Sequence, residues 1–254
     1  MAQDDIVTGM QEHYAAHLAP IYTWMVGDVD AALERSRELL SKAGVLGASA
    51  AGLGKQAIDL GCGFGLQSLP LAEAGYAVVS IDLSAELLAE LERRRGPHAI
   101  RTVLADLRDF PAHVATPVEV ITCLGDTLTH MPDRESVDDL LGAMSRALVP
   151  GGKMLLGFRD FHSVELKGVD RIIPVRSDAD RILTCLLEYE TGRVAVTDLV
   201  HERTLTGWRQ RASRYWKLRL DPDQMIQRIE SVGLKLESKS VERGMVTLAA
   251  CRKQ

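Results

Sequence analysis

The 254-residue chain carries 35 acidic against 30 basic side chains, a net charge of −5, with 46% hydrophobic and 26% charged residues. That is an ordinary soluble globular composition: it excludes a disordered or low-complexity chain and offers no overall field to draw a polyanion. The four cysteines, Cys62, Cys123, Cys185 and Cys251, form no C-x-x-C pair, and no histidine cluster has zinc spacing, so reduced thiols, a cytoplasmic location and no metal are expected. The stretch MAQDDIVTGMQEHY lacks a basic and then apolar leader pattern, and no run of 18 apolar residues occurs, so neither secretion nor membrane spanning is expected.

Taken in chain order, residues 10–50 read as helical, with a cap at Asp28 or Asp30 and a stop at Gly44. GASAAGLG, ending at Gly54, reads as a linker. From Lys55 short β-like runs alternate with helical patterns: KQAIDL, LQSLPLAEAG, YAVVSIDL, SAELLAELERRRG, AIRTVLAD, VEVITCL, RESVDDLLGAMSRAL and KMLLGFRD. Strand and helix in that alternation predict βαβ units and a parallel sheet. After Arg159 the runs RIIPVRS, DRILTCLLEYE, RVAVTDLVHERTL and WRQRASRYWKL show partial period-2 alternation between turn signals, which predicts an inserted antiparallel meander. Asp221-Pro222 opens a helix that stops at Gly233, and LKLESKSV and GMVTLAACR close the sheet.

The turn Asp59-Leu-Gly-Cys-Gly-Phe-Gly65 follows a strand and precedes a helix, where glycines let backbone pass close beneath a nucleotide-sized ligand. Its third glycine falls one position early for the dinucleotide fingerprint, and Leu66 stands where that fingerprint needs Gly or Ala. An acid beside the turn is a poor neighbour for a pyrophosphate and a good one for a cationic amino-acid moiety, which favours S-adenosylmethionine. Asp82 ends the next strand, where a carboxylate can accept from vicinal ribose hydroxyls, and Asp106 ends the third, within reach of an adenine amino group. The structural alternative for both is a helix or turn cap.

AIDLGCGFG, VVSIDLS, VLADLRDF, VITCLGDTLTHM and RALVPGGKMLL, over roughly residues 55–160, resemble the successive motifs of class I S-adenosylmethionine-dependent methyltransferases. The resemblance implies an α/β fold, a Rossmann-like seven-stranded sheet whose last strand is antiparallel. It implies cofactor contacts at Asp59, Gly61, Cys62, Gly63, Asp82, Leu83, Asp106, Leu107, Cys123, Leu124 and Gly125. The expected organisation is an N-terminal helical lid over 1–50, a cofactor-binding core over 51–160, a β cap over 161–220, and the closing helix and strands over 221–254.

Ligands of open α/β sheets bind outside the carboxyl ends of the strands, which makes Asp126, Thr127, His130 and Arg159 acceptor-facing candidates. CLGDTLTHM also resembles the C-x-G-N-S-x-x-H-L stretch of glycine N-methyltransferase-like enzymes, with Asp126 in place of the asparagine, and glycine is not carried over as substrate. His130 is the expected base, or else a locally bonded histidine before Pro132. Arg159 is expected to meet a substrate carboxylate, or else to pair with Asp160 or Glu165. HYAAHLAPIYTWM gathers Tyr14, Tyr22 and Trp24, whose faces suit a sulfonium in a lid over the cofactor, although packing onto the core would use the same residues.

The expected activity is methyl transfer to a nitrogen or oxygen of a small molecule by direct in-line displacement, leaving S-adenosylhomocysteine. Neither nucleic acid nor membrane is an expected partner, and a homodimer is compatible with the sequence. An RNA or protein methyltransferase is the alternative raised by Arg193, Arg203, Arg209, Arg211, Arg214, Lys217 and Arg219 interleaved with Trp208, Tyr215 and Trp216, which otherwise form a solvated face. A cofactor-binding regulatory protein without turnover is the third reading.

Overall fold

The computed structural model describes residues 12–13, 17–46, 55–114 and 117–253. Two short helices, α1 (Ala19–Val26) and α2 (Val29–Lys42), precede the core and are separated at Gly27; the Asp28 carboxylate caps α2 by accepting from the Ala31 amide at 3.0 Å. Tyr14 and the linker expected over GASAAGLG lie outside the described residues.

The alternating core follows: β1 (Gln56–Leu60), α3 (Ser68–Glu73), β2 (Ala77–Asp82), α4 (Ala85–Arg94), β3 (Ile100–Leu104), β4 (Val118–Cys123), α5 (Arg134–Ala147) and β5 (Leu148–Arg159). Apolar residues three and four apart explain the helices. Leu87, Leu88 and Leu91 give α4 one buried stripe, with Ser84 capping its start and Arg93 and Arg94 in its last turn. The strands read as near-continuous apolar runs because they are covered on both faces, and all six residues of β4 are buried. β5 begins earlier than the alternation predicts, taking in the Leu148–Gly152 stretch.

A second, antiparallel sheet follows as β6 (Ile172–Ser177), β7 (Arg181–Glu190), β8 (Arg193–Thr204) and β9 (Gly207–Leu218). The chain then returns through α6 (Pro222–Ser231), β10 (Leu234–Glu242) and β11 (Met245–Arg252). The main sheet is seven-stranded in the order β10-β11-β5-β4-β1-β2-β3, parallel except for β11, which runs antiparallel to both neighbours. The meander packs Phe161, Leu187, Val194, Val196 and Tyr215 into its own small core, while Leu18 and Ile21 join Leu183 and Val200. The N-terminal segment is thereby fastened to the inner face of the meander.

From β1 the chain winds outward through β2 and β3, then crosses back to β4 on the other side of β1. β1 leads on to β2 at one side and β4 to β5 at the other, and the carboxyl ends of these two strands border a crevice at this switch point. Gly61–Gly65 and Leu124–Asp126 are the loops that follow them.

Candidate functional site

The glycine turn is held from below. Asp59 is 1% exposed, and its two oxygens accept from Ser68 Oγ at 2.6 Å and Thr122 Oγ1 at 2.7 Å, with Ser80 Oγ donating in turn to Ser68 at 2.8 Å. Burial lifts the Asp59 carboxyl to about 6 against those hydrogen bonds. Asp59 therefore sits beneath the turn and not in the wall of the crevice, one step removed from the direct contact expected of it. Cys123 is likewise fully buried behind the wall.

Above Asp59 the backbone is left-handed at Gly61, φ +68°, and Gly63, φ +53°. A Cβ on Gly61 would lie 2.3 Å from Thr127 Cγ2, so the β1 and β4 loops touch only because that side chain is absent. Asp82 accepts from the Gly63 amide through Oδ2 and the Ser84 amide through Oδ1, both at 2.8 Å. It thus ties the turn to the end of β2 while lining the crevice, and its carboxylate retains acceptor capacity for a ligand hydroxyl.

Two cavities meet here. The first is a cleft walled by Gly61, Gly63, Asp82, Leu83, Leu87 and Leu107, with Asp106, Arg108, His130 and Met131 at its far side. Apolar walls from Leu83, Leu87 and Leu107 beside the Asp82 and Asp106 carboxylates are what an adenosine needs, and the residues present fit S-adenosylmethionine. Asp106 caps the 3-10 turn Leu107–His113 through the Arg108 amide and pairs with the Arg108 guanidinium at 2.7 Å, so the cap alternative describes its present partners. The second cavity, about 550 Å³, lies between the glycine turn, the β4 loop and the inner face of the meander, and is lined by Cys62, Leu124, Gly125, Asp126, Arg159, Phe161, Cys185, Asp198, Tyr215 and Lys217 among others. Tyr22, Gly61, Gly63 and Thr127 border both. Tyr22 meets Phe64 edge-on at 6.0 Å, and burial, with Asp82 and Asp126 nearby, pushes its hydroxyl up to about 12.

Of the expected lid aromatics, Tyr22 reaches the site and Trp24 does not. Trp24 Nε1 donates to Asp178 at 2.5 Å, and Arg176 and Arg181 lie over its ring, which pins α1 to the meander outside both cavities. Arg159 enters the second cavity, pairing with neither Asp160 nor Glu165: its Nη1 donates to the Arg243 carbonyl at 3.3 Å, and Glu165 pairs with Arg219. Asp126 accepts from the Arg159 amide at 3.0 Å and contacts the Lys217 ammonium. Burial raises its carboxyl, but Lys217 and the hydrogen bonds outweigh that and hold it below the usual range. His130 stacks on Tyr215 at 5.5 Å. Desolvation, reinforced by Lys217, pushes its imidazole down to about 3, so it stays neutral and accepts protons poorly.

Lys217, Asp198 and Cys185 were not singled out as chamber residues from the sequence. Asp198 had a legible signal: it is in phase with Val194, Val196 and Val200, so the strand turns a carboxylate to its apolar side. The remaining basic residues of the meander are largely paired. Glu190 holds Arg193, Glu202 holds Arg209 and Arg211, and Glu188 holds Arg214, so the strip is a salt-bridged face and not a free cationic surface.

Residues 57–152 match a family model described as a methyltransferase domain. A glycine/sarcosine N-methyltransferase of Halorhodospira halochloris is 36% identical over 116 residues, 44% of this chain and 43% of the relative. The cypemycin N-terminal methyltransferase of a Streptomyces species is 33% identical over 132 residues, 52% of this chain and 53% of the relative. The chain thus spans about half the length of these curated relatives. The S-adenosylmethionine-bound amino pentose methyltransferase of Micromonospora echinaspora superposes with a TM-score of 0.72 at 17% identity, over 87% of this chain and 92% of that one, which shows a shared fold. No helix among the described residues is long and apolar enough to cross a membrane. Residues 57–152, which build much of this sheet and this crevice, thus match a methyltransferase domain, and the cleft beside the glycine turn suits its S-adenosylmethionine cofactor.

Proposed function

We propose that the protein transfers a methyl group from S-adenosylmethionine to a nitrogen or oxygen of a small-molecule acceptor, with an amine favoured. The observation that carries this reading is the junction of the two cavities: a cleft suited to adenosine opens, past Tyr22, Gly61, Gly63 and Thr127, into a chamber of about 550 Å³. That volume lies within the range of small-molecule sites. In this reading residues 51–160 and 221–254 hold the cofactor, residues 161–220 roof the acceptor, and the N-terminal segment joins the two.

Within the cleft, Asp82 would hold the ribose hydroxyls and Leu83, Leu87 and Leu107 would offer apolar surface to the adenine, with Tyr22 at the junction with the chamber. The bound cofactor supplies an electrophilic methyl on a sulfonium, and no metal is called on. In the chamber Asp198 favours a cationic or hydrogen-bond-donating acceptor, and Arg159 receives its carboxylate or other acceptor oxygen. Catalysis would come chiefly from alignment of the acceptor lone pair with the transferred methyl, the apolar part of the chamber wall being supplied by Leu18, Met25, Leu124 and Phe161. The neutral His130 orients and desolvates, and does not take the proton.

The test is transfer of radiolabelled methyl from S-adenosylmethionine to a panel of glycine, sarcosine, an amino sugar, a short peptide with a free N-terminus and a phenol. Label in an amine supports the proposal, and label in the phenol moves it to the oxygen reading. Cofactor binding without label in any member contradicts it.

A further inference from the structure

An amine enters a neutral solution mainly as ammonium, whose lone pair is occupied, so one proton must leave the chamber for each methyl transferred. His130 lines the cofactor cleft and not the acceptor chamber. Of the two chamber carboxylates, Asp126 is committed to the Lys217 ammonium, Thr129 and the Arg159 amide. Asp198 has neutral or titratable partners instead. Its Oδ1 accepts from the Cys185 thiol at 2.7 Å, and its Oδ2 lies 3.4 Å from Nε2 of His13.

His13 is 3% exposed and packs on Tyr215 with ring centroids 4.0 Å apart. Its other nitrogen, Nδ1, is 2.7 Å from Ser213 Oγ. Ser213 borders a different cavity, also lined by Glu12, His17, Arg211 and Arg214, which has no lining residue in common with the acceptor chamber. Glu12 and Arg214 there are exposed, so that cavity meets solvent. A buried histidine thus lies between the acceptor chamber and a surface-facing cavity, with Asp198 of the chamber at one ring nitrogen and Ser213 of the outer cavity at the other.

We propose that Asp198, His13 and Ser213 form a proton outlet from the acceptor chamber to solvent; this rests on reading the chamber as the site of an amine acceptor. The ammonium N–H bond breaks and its proton passes to Asp198 Oδ2, leaving the nitrogen lone pair free to attack. Asp198 passes the proton to Nε2 of the His13 tautomer protonated at Nδ1, and the Nδ1 proton leaves through Ser213 Oγ to water. Asp198 returns to carboxylate, and exchange of ring protons with water resets His13. One proton enters and one leaves per turnover.

Burial favours the neutral form of Asp198, but the Cys185 thiol, and His13 once it carries the proton at Nε2, donate hydrogen bonds that hold its carboxyl below the usual range. The groups facing this path are His17 on the same segment, His130 from the 3-10 turn Thr127–His130, Cys185 from β7, and Arg211, Tyr215 and Lys217 from β9.

The test compares wild type with His13→Ala and Ser213→Ala in methyl transfer to whichever amine of the panel above is turned over. For His13→Ala the expected result is a kcat lower by on the order of a hundredfold with KM nearly unchanged, and restoration by added imidazole entering through the vacated opening. Ser213→Ala lowers kcat by a smaller factor. An unchanged kcat, or a fall that imidazole does not restore, overturns the outlet and leaves His13 as a fastening of the N-terminal segment. If His13→Ala does not fold, His13→Gln replaces it, and a wild-type rate from this hydrogen-bonding but non-titrating variant overturns the proposal. Absence of turnover by wild type removes the amine reading and the outlet together; full turnover by both proteins removes the outlet alone.

Discussion

Replacing Asp59 by Asn perturbs the foundation of the glycine turn without touching either cavity wall. The carboxyl is raised from 3.8 to about 6 because it is buried, and its hydrogen bonds from Ser68 and Thr122 only partly offset that. With the folded value above the unfolded one, the stabilising protonated form is fully available below pH 3.8 and is lost as pH rises through 6. The difference corresponds to about 3 kcal/mol, of which roughly 2 kcal/mol falls between pH 4.5 and 8. Asn is neutral throughout, accepts from one hydroxyl and donates to the other, so it lacks this term. Urea unfolding of both proteins across that pH range should therefore show the wild type losing about 2 kcal/mol relative to Asp59→Asn as pH rises. A wild-type-minus-variant difference flat to within about 0.5 kcal/mol would refute the argument that burial dominates at this carboxylate.

If Asp82 holds the ribose hydroxyls as proposed, Asp82→Ala should weaken S-adenosylhomocysteine binding by about 3 kcal/mol, roughly a hundredfold in Kd by calorimetry. Gly61→Ala forces a left-handed backbone and a Cβ against Thr127, and should cost about 1–3 kcal/mol in chemical unfolding while lowering cofactor affinity. Arg159→Ala should raise the acceptor KM by roughly tenfold to a hundredfold with kcat little changed, as expected for lost uniform binding. His130→Gln should keep kcat within about tenfold of wild type and leave its pH profile in place, whereas loss of a pH limb would return the base role to His130.

The βαβ core was legible because period and punctuation agreed there: Ser84 and Asp221 sit at helix starts as the capping chemistry requires, and β4, rich in apolar residues, is buried along its whole length. The meander was legible as strands, yet its contribution to the site was not. Lys217 faces Asp126, 91 positions earlier in the chain, and no local pattern reports such a contact. Trp24 looked like a cofactor aromatic because nothing in its own segment reveals Asp178, Arg176 and Arg181, which claim it. Asp59 was placed in the right turn with the wrong reach, since a strand-end carboxylate can point up to a ligand or down to Ser68 and Thr122. The choice depends on which hydroxyls the neighbouring strand and helix supply.

The central claim is that the cofactor cleft discharges into the meander-roofed chamber. A crystal structure of the protein with S-adenosylhomocysteine tests it most directly: the ribose hydroxyls should rest on Asp82 and the sulfur at the junction of Tyr22, Gly61, Gly63 and Thr127, facing Asp126 and Arg159. A sulfur turned away from that chamber, or an adenosine outside the cleft, would contradict the account.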